Sequence, residues 1–211
     1  MKKIIPILLI INNLLFIVSL AISLVILYRP FYYWHIDYLS LPTETGYTYN
    51  EIKESYDDVL DYLVFNKPFS SGKLKYSDEG KKHFEDCRIL FIINFAILTI
   101  SGLIIILKKK FFNYIMFLGY NISYCSCILM SSSFILLMFC SLVFGFNRVF
   151  KLFHKIFFIG KTNWRFKPSK DEIINILPEK YFMDCAILIL VIVSIISVII
   201  IIREKRRRKQ K

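Results

Sequence analysis

Histidine is the side chain that exchanges protons most readily near neutral pH. This 211-residue chain holds three, His35, His83 and His154. His83 opens the stretch HFEDCR, and His154 lies within NRVFKLFHKIFF. Asp86 follows His83 by three residues, a spacing that shares one face of a helix. A carboxylate there could select the tautomer of the imidazole and favour its protonated form, the logic of a base held by an orienting acid. Arg148 precedes His154 by six residues and could serve an oxyanion or a lipid headgroup. His83 and His154, supported by Asp86 and Arg148, are therefore the candidate site. Each also has a plainer reading: an interfacial histidine with an acid nearby, or a polar residue on an aromatic amphipathic helix. His35 stands among Tyr32, Tyr33, Trp34 and Tyr38. Interfacial packing accounts for it, and it is left outside the site.

The elements that carry these residues are membrane elements. The chain is 56% hydrophobic, with a mean hydropathy of +0.53, too apolar for an ordinary soluble domain. Four apolar stretches stand out, and a helix needs about 20 residues to cross a hydrocarbon core of roughly 30 Å. They place spans at about 4–28, 89–107, 118–142 and 186–202. The apolar run around the third span, Phe111–Phe146, exceeds the core, so one end is expected to protrude or to follow the interface. The first run, behind MKK, is longer than the about 7–15 residues of a secretory h-region and no A-x-A-like site follows it. It reads as an uncleaved signal anchor. The fold class expected is an all-α integral membrane protein. Four transmembrane helices would carry a small extracytoplasmic cap made from residues of about 29–88 and 147–185.

Charge sets the orientation. Met1–Lys3, Lys108–Lys110 and Arg203–Lys211 together hold 12 basic residues and one acid, Glu204. Arg29–Arg88 holds 8 basic and 11 acidic residues, and Asn147–Cys185 holds 8 and 4. The net charge of +12 thus sits almost wholly on the termini and on the short link between the second and third spans. The positive-inside rule puts those in the cytoplasm and all three histidines outside. The basic excess reads as topology and contact with anionic membrane lipids. No nucleic-acid partner is implied, since neither a recognised fold nor aromatic-basic interleaving accompanies it.

Between the spans the pattern is helical. Thr48 and Glu51 fit a capping box, and Ile52, Tyr56, Val59, Leu60 and Leu63 then share a face that largely avoids Asp57, Asp58 and Asp61. Ser77–Arg88 starts the helix that becomes the second span. Phe146, Phe150, Phe153 and Phe157 recur at three- and four-residue spacing, with Arg148, Lys151 and Lys155 on other faces, as in a helix lying in the interface. Ser169 and Glu172 form a second capping-box candidate ahead of IINIL.

Several chemistries are disfavoured. There is no G-x-S-x-G and no HExxH, which argues against serine hydrolases and zincins of the usual design. Neither C-x-x-C nor a zinc-type cluster occurs. A metal site from His83, Asp86 and His154 is possible in ligand type. No cofactor is expected. The span cores hold no acidic or basic residue, which disfavours ion-coupled transport. Asn12, Asn13, Asn94, Asn121, Tyr120 and Tyr124 are either interhelical hydrogen-bond partners or, for the tyrosines, the lining of a polar path. Cys125, Cys127 and Cys140 read as packing residues. Cys87 and Cys185 both lie near the outer surface, where a disulfide is conceivable.

The blocks TGYTYNEIKESYDDVLDYLVF, SDEGKKHFEDCRILF, FHKIFF, TNWRF and LPEKYFMD follow one another in one order between four spans. That order resembles the lipoprotein intramolecular transacylase family of Gram-positive bacteria over most of the chain. Cys87, where the family usually has an aliphatic residue, is a departure. The resemblance implies a diacylglyceryl-modified bacterial lipoprotein as partner, anchored in the cell membrane. It implies transfer of the sn-2 acyl chain from the glycerol to the N-terminal α-amine, giving a lyso-form lipoprotein. It makes His83 and His154 the catalytic pair and leaves open which is the base and which stabilises the oxyanion. The alternative class is a non-enzymatic membrane chaperone or scaffold.

Overall fold

The computed structural model describes residues 4–111, 116–117, 120–121, 124–130, 132, 136 and 143–209. Eight named helices occur in order: α1 (Ile4–Leu27), α2 (Arg29–Tyr38), α3 (Leu41–Thr45), α4 (Tyr49–Phe65), α5 (Asp78–Phe111), α6 (Phe146–Phe157), α7 (Ile173–Ile176) and α8 (Glu179–Lys209). Residues 124–130 are helical as well. The strand content among the described residues is one antiparallel ladder of two residues a side, pairing Met116 with Asn121 and Phe117 with Tyr120. Helices α1, α5 and α8 are long and apolar enough to cross a membrane. The span expected at 118–142 lies for the most part outside the described residues.

The chain divides into two compact units. One comprises Met1–Leu24, Asn94–Val143 and Ala186–Lys211. Its interior packs Ile17, Ala21, Cys127, Met130 and Val193. Two asparagines tie its helices as interhelical partners: the Asn12 side chain donates to the Ser101 carbonyl at 3.2 Å, and Asn94 donates to Ser23 Oγ at 2.8 Å. Isoleucines and leucines such as Leu8, Ile100 and Ile195 stay exposed, which lipid tolerates and water does not.

The other unit comprises Val25–Ile93 and Phe144–Cys185, and it holds every candidate site residue. Its core is built on the predicted face of α4, where Ile52, Tyr56, Val59, Leu60 and Leu63 are all buried. The helix starts at the predicted capping box. Thr48 Oγ accepts the Glu51 N–H at 3.3 Å, and the Glu51 carboxylate accepts the Thr48 N–H at 2.9 Å. The acids off that face are paired rather than merely solvated. Asp57 accepts from Arg29 at 2.7 Å and from Tyr33, and Asp61 accepts from Arg29 and Lys67. These contacts fix the start of α2 against α4.

Helix α5 begins as expected at the Ser77–Arg88 block. Ser77 Oγ accepts the Gly80 N–H at 3.0 Å, closing its first turn. The expected Ser169–Glu172 capping box does not form. Glu172 is itself the residue before α7 and makes no cap bond. Its carboxylate instead accepts from the Tyr47 hydroxyl and the Lys75 N–H, each at 2.8 Å. The helix starts at Ile173, four residues past Ser169, so Ser169 is not at its N-cap. Cys87 and Cys185 are both free thiols.

Candidate active site

Two helices deliver the paired histidines. His83 stands in the second turn of α5, within Asp78–Arg88, the charged stretch that precedes the apolar part of the helix. His154 is the one buried residue of α6. The rest of α6 keeps Leu152, Ile156 and Phe157 exposed. That uncovered apolar face suits a helix lying in an interface. The two imidazoles lie with ring centroids 5.8 Å apart and planes at 31°. Both are buried, at 5% and 8% exposure.

Aromatic rings enclose the pair. Phe158 meets His83 edge-on at 4.8 Å and lies 5.6 Å from His154. Phe166 meets His83 at 5.3 Å, and Trp164 lies over His154 at 4.9 Å with planes at 32°. Phe150, one turn before His154, meets its ring at 4.4 Å, and Phe153 does so at 5.5 Å. Such walls exclude water, so proton transfer and charge development inside them are governed by a few fixed groups.

The hydrogen bonds distinguish the two rings. His154 Nδ1 is 2.8 Å from the Phe150 carbonyl. A carbonyl can accept and never donate, so Nδ1 carries the hydrogen and the neutral ring keeps its lone pair on Nε2. His83 Nε2 is 3.4 Å from Cys87 Sγ, one turn along α5. His83 Nδ1 is shut off from solvent and has no partner among the described residues. Burial, with His154 beside it, pushes the His83 ring down to about 4. Burial also lowers His154, against the Phe150 carbonyl, which favours the charged form. Both rings are therefore neutral at pH 7. Burial pushes the Cys87 thiol up to about 12, so it keeps its hydrogen.

Asp86 lies near His83, as its spacing suggested, and its charge favours the protonated ring, but it does not orient that ring. It makes no hydrogen bond to His83. Its carboxylate takes an ion pair from Lys161 and accepts from Asn163 Nδ2 at 2.9 Å. Although burial works against it, the Lys161 ammonium and the Asn163 amide hold the Asp86 carboxyl below the usual range. Asp86 thus ties the segment carrying Asn163 and Trp164 to the helix of His83. Arg148 is exposed, and among the described residues it makes no hydrogen bond or ion pair. Six residues of helix carry it about 9 Å along the axis from His154 and turn it onto another face. The structure brings together His83 and His154, places Asp86 beside them as an anchor, and leaves Arg148 apart. Among the described residues no group of three or more His, Cys, Asp or Glu gathers so as to hold a metal ion.

His35 is not at an interface but fully buried, with Nδ1 donating to the Phe31 carbonyl at 2.7 Å and Nε2 at 3.1 Å from Asp184. It is a structural member of the core and remains outside the site. Phe158, Asn163, Trp164 and Phe166 were not assigned to the site from sequence. Their types gave no chemical signal, and their loop could be placed only through Asp86.

A model of the family described as "Lipoprotein intramolecular transacylase Lit" matches residues 7–182. The chain belongs to this family. Solved structures of the membrane integral lipoprotein intramolecular transacylase Lit from Bacillus cereus are similar throughout. One, at 26% identity, covers 100% of this chain and 99% of that one with a TM-score of 0.84. Two histidine variants of the same protein, one to alanine and one to arginine, are each 28% identical, with TM-scores of 0.74 and 0.73. They cover 100% of this chain and 96% and 95% of their own. No curated protein sequence matches the chain. This lipoprotein intramolecular transacylase is accordingly an acyltransferase and an all-α, multi-pass membrane protein, and the non-enzymatic scaffold reading is not favoured.

Proposed function

We propose that His154 is the general base, and His83 the hydrogen-bond donor, in transfer of the sn-2 acyl chain of an S-diacylglyceryl-cysteine lipoprotein to its own N-terminal α-amine. The observation that carries the assignment is the pairing of the two rings with different nitrogens left free. Nε2 of His154 offers a lone pair. We assign the Cys87 S–H, retained by burial, as the donor to His83 Nε2 at 3.4 Å, which leaves that ring's hydrogen on the unpartnered Nδ1.

The chemistry balances on these groups. The neutral amine attacks the ester carbonyl, forming an N–C bond and an oxyanion that His83 Nδ1–H stabilises. His154 Nε2 takes one N–H proton. The C–O bond to the glycerol breaks, and the His154 imidazolium returns that proton to the departing oxygen. The products are an amide and a free glycerol hydroxyl, with no change of oxidation state. Donor and acceptor belong to one molecule, so holding them in a reactive pose supplies much of the rate. The reaction itself calls for no cofactor or metal. Asp86 acts here as a positioning residue. Arg148, standing apart and exposed, is assigned to lipid headgroups.

The same reading places both termini in the cytoplasm of a bacterial cell, with spans at about 4–28, 89–107, 118–142 and 186–202. Residues 29–88 and 147–185, with both histidines, are then extracytoplasmic. The charge distribution supports this, and nothing in it calls for a nucleic-acid partner.

Turnover of a synthetic diacylglyceryl-cysteinyl peptide by purified enzyme in bicelles tests the assignment. His154→Ala is expected to lose about 10²–10⁴-fold in rate and to regain part of it as imidazole buffer is added. His83→Ala is expected to lose about 10²–10³-fold with no response to added base. The reverse pattern would exchange the roles, and near-wild-type rates in both would remove the pair from catalysis. Chelators should leave the rate unchanged; a loss restored by zinc would revive a metal site.

A further inference from the structure

The segment 161–164 is pinned at His154 and at Asp86, and among the described residues it carries one buried polar atom with nothing to bind. The Trp164 ring lies over His154, and its Nε1–H donates back to the Lys161 carbonyl at 3.1 Å, closing the turn. Asn163, inside that turn, donates Nδ2–H to Asp86, three residues along α5 from His83. A carboxylate only accepts, so this contact fixes which end of the carboxamide is nitrogen. Asn163 Oδ1 is then an acceptor, sealed from solvent and without a partner among the described residues. Leaving such an atom unpaired is costly, and the fold holds it so by anchoring the other end of the same group.

An acceptor calls for a donor, and the substrate has one kind at its reacting centre. The ester and the thioether offer no hydrogen. The α-amine has two when it attacks: one leaves to the base and the other stays on nitrogen in the product amide. We propose that Asn163 Oδ1 accepts the N–H that stays. Resting on the reading of His154 as base, this deepens it. With one hydrogen on Asn163 and the other facing His154, the nitrogen lone pair is left to meet the ester carbonyl. Asn163 thereby selects a primary amine as nucleophile, because a substituent on nitrogen would occupy the position of the retained hydrogen.

A substrate peptide with an N-methylated terminus separates this from a scaffolding role. That amine has a single hydrogen, which must leave, so its methyl group meets Asn163 Oδ1. Wild-type enzyme should prefer the primary amine, and Asn163→Ala should lower the primary-to-N-methyl rate ratio by about tenfold, the worth of one such hydrogen bond. The ratio is taken within one preparation, so partial loss of folded protein does not alter it. Lys161→Ala, which removes the ion pair tying the same segment to Asp86 while keeping Oδ1, should leave the ratio at its wild-type value. An unchanged ratio in Asn163→Ala, or an equal fall in Lys161→Ala, would overturn the proposal. His154→Ala should slow both substrates alike, so an error in the base assignment would show in the rate and not in the ratio.

Discussion

His83 is held neutral by the same burial that leaves its Nδ1 without a partner. An unpaired buried nitrogen costs about 1–3 kcal/mol, and substrate would recover that interaction on binding. The depressed ring also makes a stability prediction. An unfolded histidine protonates near 6.5, whereas folded His83 does so at about 4. Between these values the unfolded chain binds a proton that the folded chain does not, so stability is full above about 6.5 and falls as pH drops through that window. Replacing His83 by asparagine removes that uptake and should flatten the decline of the melting temperature between pH 6.5 and 4.5, measured in detergent. A decline as steep as that of the wild type would mean the ring is not buried neutral. At this scale the sequence shows chemistry-bearing types and little of their state. Both histidines could be named from residue type and position. The nearness of Asp86 to His83 could be read but not its anchoring role, because helical spacing says which residues share a face and not that Lys161 and Asn163 compete for the carboxylate. The His154 tautomer rests on the Phe150 carbonyl, and the one proposed for His83 on the Cys87 thiol, neither of which is a chemical signal in a sequence.

Among the elements, α5 does most to position the site, since it bears His83, Asp86 and Cys87 on its first turns. The segment that follows α6 closes against it at Gly80. A Cβ there would collide with Asp171 Oδ1 and come within 3.1 Å of Phe166, whose ring meets His83. Asp171 cannot yield freely, because it accepts the Ser77 N–H at 2.8 Å and the Ser77 hydroxyl at 2.6 Å. Gly80→Ala should cost about 1–3 kcal/mol through overpacking and should lower turnover together with melting temperature. A variant with wild-type values of both would show that this approach does not constrain the aromatic wall. The buried face and capping box of α4 could be read from sequence because both are local, repeating signals. The failed box at Ser169 carries the complementary lesson. Glu172 is claimed by Tyr47 and Lys75, residues 125 and 97 positions away, and no local pattern records such a partner.

For the whole molecule, membrane character follows from composition, and the proposed orientation rests on where the basic residues fall. Lys73 is exposed in the segment between α4 and α5, which the charge distribution puts outside the cell. A Lys73→Cys variant should therefore react with a membrane-impermeant maleimide on intact cells, above the background of the native cysteines. Labelling that appears only after lysis would invert the topology. The central claim is that the paired histidines perform the acyl transfer, and mass spectrometry of lipoprotein N-termini tests it most directly. The comparison is between cells making the wild-type chain and cells making His83→Ala or His154→Ala as their sole transacylase, with equal amounts of enzyme in the membrane. The expected result is N-acylated lyso-form lipoprotein in the first case. In the other two, the diacylglyceryl form with a free amine should persist and the lyso-form should fall to about a hundredth or less. Lyso-form product at wild-type abundance in either variant would contradict the account.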